Sequence, residues 1–174
     1  MNFLRRRSRA LFIGLWTGFT GAKAQVVINE LMQSNVDVLM DDTNQFPDSW
    51  VEIYNPMATA RDLRDYRINN TRDFQSAHKL AACSVPSKGY ALIYCAHDHT
   101  GFRLDSDAGG GIYLYNPMGQ LVNCVVDIGR QPAPNTAFGR TEDGGSEWAY
   151  LTQPTPAASN STASPALGLL PAPE

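Results

Sequence analysis

A sandwich or barrel of short β-strands is the architecture this sequence predicts. Two observations carry that expectation. Short β-branched and aromatic runs recur at regular spacing with turn residues between them, the pattern of a sandwich or barrel. After the first 24 residues, no window of about 11 residues shows a helical hydrophobic period.

The elements follow in order. Val26-Val27-Ile28 is β-branched and opens the first strand. Residues 33–47 are polar and acidic without a period and read as a long loop. Ser49-Trp50-Val51-Glu52-Ile53-Tyr54 is the second strand, stopped by the turn signal Asn55-Pro56. Alternation sets Trp50, Glu52 and Tyr54 on one face and Val51 and Ile53 on the other. A short strand is expected over residues 63–68, ended by Asn69-Asn70. Residues 79–85 lead into the turn Pro86-Ser87-Lys88-Gly89. Tyr90-Ala91-Leu92-Ile93-Tyr94-Cys95 is the strongest strand, and a polar loop follows over residues 96–100. Phe102 and Leu104 alternate with charged residues. Gly109-Gly110-Gly111 precedes Ile112-Tyr113-Leu114-Tyr115. Asn116-Pro117-Met118-Gly119 then turns into Leu121-Val122-Asn123-Cys124-Val125-Val126, the best hairpin signal in the chain. On that last strand Val122, Cys124 and Val126 are expected to face inward, and Asn123 and Asp127 outward.

The N-terminus has a different character. Arg5, Arg6, Arg7 and Arg9 precede the uncharged apolar run 10–19, and Gly21-Ala22-Lys23-Ala24 follows. Basic cluster, apolar run and small-x-small site, in that order, make residues 1–24 a secretory signal peptide cut after Ala24. The run is too short to span a bilayer, which takes about 20 apolar residues, and no later stretch is longer, so no transmembrane segment is expected after cleavage. The signal holds five of the 14 Lys+Arg and none of the 17 Asp+Glu, which leaves nine cations against 17 anions, a formal charge of −8. Such a chain repels phosphate backbones, so no nucleic acid is expected as a partner of this domain. The remainder fits one domain. After Asn160 the composition falls to Ser, Thr, Ala, Pro and Leu, so residues 161–174 read as a linker or disordered tail. The three cysteines, Cys83, Cys95 and Cys124, match no zinc spacing. Export leaves two readings open: a bridge between Cys95 and Cys124, or buried free thiols.

The motifs add up in order. Val27-Ile28-Asn29-Glu30-Leu31 resembles the opening "INE" strand of lamin-tail domains, and Trp50-Val51-Glu52-Ile53-Tyr54-Asn55 resembles their "WIELYN" strand. Asp62-Leu63 with Tyr66 is similar to "DLSGW", with Tyr in place of Trp. Gly89-Tyr90 and the run after it resemble "GGYLVV". Phe102-x-Leu104 and Gly111-x-Tyr113-Leu114-Tyr115-Asn116-Pro117-x-Gly119 are similar to the family's next pair of motifs. Phe138-Gly139-Arg140, Asp143-Gly144 and Trp148 follow, and Thr155-Pro156-Ala157-Ala158-Ser159-Asn160 resembles the closing "TPGAPN". The resemblance covers residues 25–160. It implies an immunoglobulin-like β-sandwich, and the signal peptide points to the bacterial, exported branch of the family. The chain departs at Tyr66, at Ala157 where a Gly is usual nearby, and in an acidic insert over residues 37–48.

A few residue clusters have side chains that could carry chemistry. Asn29 and Glu30, polar beside a buried strand, are expected to tie loop backbone groups rather than hold a ligand or metal. Trp50 and Trp148 read as core aromatics ahead of a carbohydrate platform. Gly109-Gly110-Gly111 has no Lys-Ser/Thr after it and leads into a strand, so it is no phosphate loop and fits a close turn or bulge. His97-Asp98-His99 on an extended segment would let two His share a metal, but reads first as a solvated loop. Asp105-Ser106-Asp107 lacks the Glu that closes a calcium loop. Asp41-Asp42 reads as a solvated acidic pair. No Ser-His-Asp set with a nucleophile elbow occurs, so the sequence points to no catalytic, cofactor or metal residue and to no cofactor. The expected function is that of an exported, non-catalytic interaction or attachment module at the bacterial cell envelope. It would sit in the periplasm, on the surface or outside the cell, with a protein or envelope component as partner. Two alternatives stand beside it: the N-terminal part of a secreted enzyme whose catalytic domain lies elsewhere, and a lectin-like binder using Tyr113 and Tyr115.

Overall fold

Eleven strands form within residues 25–163, the part of the chain that the computed structural model describes. The expected signal peptide and residues 164–174 of the expected tail lie outside the described residues. The strands are β1 (Val27–Met32), β2 (Ser49–Tyr54), β3 (Arg61–Asp62), β4 (Arg67–Asn69), β5 (His78–Lys79) and β6 (Ser84–Val85). They continue with β7 (Tyr90–Cys95), β8 (Gly110–Tyr115), β9 (Leu121–Ile128), β10 (Ala137–Arg140) and β11 (Trp148–Leu151). Only one turn of 3-10 helix, Asn160–Thr162, interrupts this pattern among the described residues. A five-stranded antiparallel sheet has the order β11-β10-β1-β2-β7 and a four-stranded one the order β5-β4-β8-β9; β3 and β6 form a separate ribbon. The protein is an all-β, sandwich-like fold.

The interior follows from alternation. Ile28, Leu31, Val51, Ile53 and Cys95 of the larger sheet pack with Ile68, Ile112, Leu114, Val125 and Ile128 of the smaller. Full burial of one such aliphatic side chain is worth about 1.5–3 kcal/mol, against about 1 kcal/mol net for one hydrogen bond. The apolar interior therefore holds the two sheets face to face. The other face of the larger sheet is also covered. Met32, Trp50, Ala137, Ala149 and Leu151 form a second cluster there, with Val38, Leu39 and Ala163 packed on it. All six residues of β2 are buried as a result. Trp50 is a core aromatic, and Trp148 is half-buried, stacked on Phe138 and under the Arg140 guanidinium.

Several expectations need correction. Of the strand expected over 63–68 only the end forms, as the start of β4, because Leu63–Tyr66 closes a turn (Tyr66 N–H to Leu63 O, 3.0 Å) with Asp65 at φ 66°. β10 and β11 carry no strand signal that the pattern reveals, since each is only four residues long and one contains Gly139. On β9 Val122 packs on the core as expected, but from Asn123 to Val126 the inward face is the opposite one, past a register shift. Asn123 pairs with Leu114 and Val125 with Ile112, both buried partners, whereas Cys124 pairs with half-buried Tyr113 and Val126 is 49% exposed. Valines on both parities (Val122 and Val126, against Val125) make the pattern ambiguous. Asn123 is inward because its Oδ1 accepts from Ile28 N–H at 3.0 Å. Cys124 consequently faces away from buried Cys95. All three cysteines are free thiols, with Cys83 exposed and Cys124 half-buried, so the Cys95–Cys124 bridge does not form.

Candidate functional site

Two polar regions hold the side chains that carry chemistry. The first lies on the covered face of the larger sheet. Glu30 of β1 and Glu52 of β2 are directly opposite in register, and neither has any exposure to solvent. The segment after β11 closes over them. Thr155 N–H donates to Glu30 Oε1 at 3.1 Å, and Thr155 Oγ1 lies 2.8 Å from Glu30 Oε2. Ala157 N–H donates to Glu52 Oε2 at 2.7 Å, and Asn29 Nδ2 to Glu52 Oε1 at 3.0 Å. Asn29 also reaches Asp143 Oδ1 (3.0 Å), and its Oδ1 accepts from Gly144 N–H (3.0 Å). Asp143 accepts from Tyr90 Oη (2.7 Å), Ser159 Oγ (2.6 Å) and Asn160 N–H (3.0 Å). Asn160 Nδ2 donates to Arg140 O at 2.7 Å. Asn29 and Glu30 thus tie loop backbone groups, as expected for polar residues beside a buried strand. Glu52, Asp143 and Asn160 complete the same network. Residue types alone did not single out these three; only the resemblance marked the motifs that contain them.

Electrostatics follows from burial. Glu52 is pushed up to about 8, first by burial and then by the nearby Glu30 charge, while the Asn29 and Ala157 bonds pull it down. Burial also raises Glu30 above the ordinary glutamate value against its two Thr155 bonds. Burial acts to raise Asp143 too, but the bonds from Ser159, Tyr90, Asn160 and Asn29 outweigh it and hold its carboxyl below the usual range. The converging donors therefore favour the charged form of Asp143, whereas burial favours the protonated forms of Glu52 and Glu30. An acid whose oxygens are engaged by a covering segment has no open position for a reacting group.

The other candidates resolve one by one. Residues 97–99 form a turn that closes on Ala96 O, so the extended geometry assumed for two metal-binding His is absent; His97 is exposed, and His99 turns away to meet Asp41 Oδ2 at 3.0 Å. Asp41 is not a solvated acid. Its side chain is 3% exposed, and it caps the long loop through the Gln45 N–H and the Thr43 hydroxyl and N–H, which hold it well below the usual carboxylate range, at about 2. Tyr115 is buried against Phe74 and Tyr113 is half-buried, so they offer no exposed aromatic platform. Among the described residues, no group of three or more His, Cys, Asp or Glu is placed to hold a metal ion. No described helix is long and apolar enough to cross a membrane.

The second polar region lies where the end of β1 meets the loops before β8 and after β9. Gln131 Oε1 accepts from Gln33 and Ser34 N–H groups, both at 2.8 Å, which fixes the 131–134 loop against β1. Asp105 Oδ1 accepts from Asp107 and Ala108 N–H groups at 2.8 Å, closing a turn and holding Asp105 below its ordinary value. Gly109 sits at φ 71°, and a Cβ there would lie 2.0 Å from Ile128 O, so only glycine allows this close approach. The pairing of β8 with β9 shifts register just beyond it, between Gly110 and Ile112, consistent with the bulge the glycines suggest. Between these loops lie a cavity of about 60 Å³ and an adjoining cleft of about 390 Å³, with Gln33, Leu104 and Asp105 in the walls of both.

Compared with known proteins, the chain matches no family model, no curated protein and no solved structure.

Proposed function

We propose that this chain is an exported, non-catalytic interaction module of the lamin-tail type, an immunoglobulin-like sandwich that attaches to a protein or other component of the bacterial cell envelope. One observation supports this reading above the rest. The motifs that carry the resemblance are scattered from Asn29 to Asn160, yet their polar residues meet in one hydrogen-bonded network. That convergence gives a physical reason for the motifs to occur as an ordered set. It also accounts for the carboxylates. Glu30, Glu52 and Asp143 are spent on donors of residues 155–160 and on the Asn29 amide and the Tyr90 hydroxyl, which is the work of a scaffold that presents its loops.

The test is fractionation of cells that make the full chain, with intact-mass analysis of each fraction, followed by sedimentation with isolated envelopes. The expected product begins at Gln25, is found outside the cytoplasm and sediments with the envelope. A cytoplasmic product that retains Met1, or an exported one that stays in the supernatant, overturns the proposal.

A further inference from the structure

We propose that the loop between β1 and β2 is a docking surface for a partner protein, on which Met40 and Phe46 take an apolar, arginine-bearing segment. The inference rests on the attachment module proposed above and names the chemistry of its partner. It uses none of the residues of the carboxylate network.

The observation that carries it is apolar surface held out on a pinned loop. Six large hydrophobic side chains are exposed among the described residues, and three of them, Val36, Met40 and Phe46, belong to this one loop. Val38 and Leu39 of the same loop pack on the cluster around Trp50 and anchor it. The main chain is bridged on both sides of Met40 and Phe46. Asn35 Nδ2 donates to Leu39 O at 2.8 Å and to Pro47 O at 2.9 Å, and Asp41 N–H donates to Gln45 O at 2.8 Å. Met40 and Phe46 sit between these two bridges, one on each limb, so their backbones lie side by side. Asn135 Oδ1 accepts from Val36 N–H at 2.8 Å and fixes the start of the loop. Apolar residues exposed singly need no explanation, but a pair set together on a pinned backbone loses little entropy when a partner covers it. Methionine and phenylalanine are also among the side chains enriched in protein interfaces.

Charge chooses the occupant. Phe46 lines a cleft of about 310 Å³ with Pro47, Asp48, His97 and Asp98. No Lys or Arg lies between Lys23 and Arg61 or between Lys88 and Arg103, so neither segment brings one to the cleft. The ion pairs among the described residues, Asp62–Arg64, Asp65–Lys79, Asp41–His99 and Asp107–Arg130, leave Asp37, Asp42, Asp48 and Asp98 without a cation. Arg103 lines a neighbouring cleft with Asp48 and does not pair with it. An acidic partner or an anionic membrane would be repelled here, and a second copy would bring the same acids. Among the described residues no carboxylate group is placed to hold a metal ion. An arginine meets both parts of the surface at once, because its planar guanidinium stacks on an aromatic face and forks onto carboxylates. Apolar neighbours on the same segment then cover Met40.

The test is a ¹H–¹⁵N titration of the purified full chain with a short blocked peptide of alternating arginine and leucine. Two control peptides replace arginine with glutamate, or leucine with glycine. The expected result is a saturable shift with the arginine–leucine peptide, confined to the amides of residues 36–48 and 96–99. The glycine control should bind several-fold more weakly and the glutamate control not at all. Phe46→Ala, at an exposed position, should weaken binding about tenfold. Asp48→Asn combined with Asp98→Asn should weaken it several-fold and reduce its dependence on salt. Met118→Ser, at an exposed apolar position in the turn between β8 and β9, should leave it unchanged. An unchanged urea midpoint shows that each variant is folded. The surface is overturned if the arginine–leucine peptide gives no saturable shift, if the glutamate control binds as well, if the shifts spread over acidic residues outside both segments, or if Phe46→Ala and the double asparagine variant both bind as the parent does. Self-association that Phe46→Ala abolishes, without peptide binding, would assign the surface to a second copy and overturn the proposal too. Envelope sedimentation that fails while the peptide binds would remove the attachment reading and leave this surface standing. Equal sedimentation of the parent and Phe46→Ala, without peptide binding, would do the reverse.

Discussion

The carboxylate network under the closing segment and the cleft beside Gln33 are built from the same side-chain types and differ in how their hydrogen bonds are completed. In the network, Glu30 and Glu52 meet main-chain N–H groups of Thr155 and Ala157, and Asp143 meets four donors. In the cleft, Gln33 is equally buried but keeps an oxygen with no donor. Burial alone therefore does not mark a binding site. A closed network spends its polar groups on the fold, whereas the Gln33 oxygen carries the cost of an unmade bond inside it.

Four experiments break or sharpen that contrast. The largest effect is expected from Asn29→Ala, which strips donors from Glu52 and Asp143 and an acceptor from Gly144. The loss should be roughly 3 kcal/mol or more, since each buried partner left alone costs about 1–3 kcal/mol; a urea midpoint close to that of the parent would show that the network is not closed. Gly109→Ala comes next. It adds a Cβ against Ile128 O at a positive φ and should cost about 1–3 kcal/mol, with shifts confined to the loops around the cleft.

The third experiment is a pH profile of stability. Glu52 and Glu30 keep protons in the folded state where the unfolded chain has released them. Their contribution is complete below the ordinary glutamate value of 4.5 and is lost as pH rises above it, for Glu52 through about 8. Asp41 and Asp143 act oppositely. Their contribution is present above the ordinary aspartate value of 3.8 and is lost as pH falls, for Asp41 through about 2. The urea midpoint should therefore peak at about pH 4–5 and decline toward pH 8.5. Glu52→Gln should flatten the alkaline limb and leave the acid limb unchanged. A flat parent profile over this range would show that Glu52 is ionised in the folded protein.

The smallest effect is chemical. Cys95 is buried and its thiol is pushed up to about 12, whereas Cys83 is exposed. A thiol reagent should label Cys83 in the native chain, spare Cys95, and titrate all three thiols after denaturation without reductant. Fewer than three would mean a bridge.

Legibility in the sequence varied with local redundancy. β2 and β7 were clear because each is an unbroken run, and in β2 Val51 and Ile53 repeat the same parity. β9 misled because valines occupy both parities and an asparagine serves an inward role across the sandwich. β10 and β11 are too short for a period to show. In the network, Asn29 and Glu30 drew attention as polar residues beside a strand. Their partners lie as far as 131 positions away, a distance no local pattern spans. The Gln33 oxygen left no trace, because whether an amide is satisfied depends on three loops far apart in the chain.

The closing segment also sets an order of events. β1 and β2 carry Glu30 and Glu52, but apart from the Asn29 amide the groups that satisfy them belong to Thr155 and Ala157. In a chain that emerges from its N-terminus, these two strands therefore precede by more than 100 residues the main-chain donors that close over their acids. This corner of the sheet can be sealed only after residues 155–157 have emerged, so its closure follows the pairing of β1 with β2.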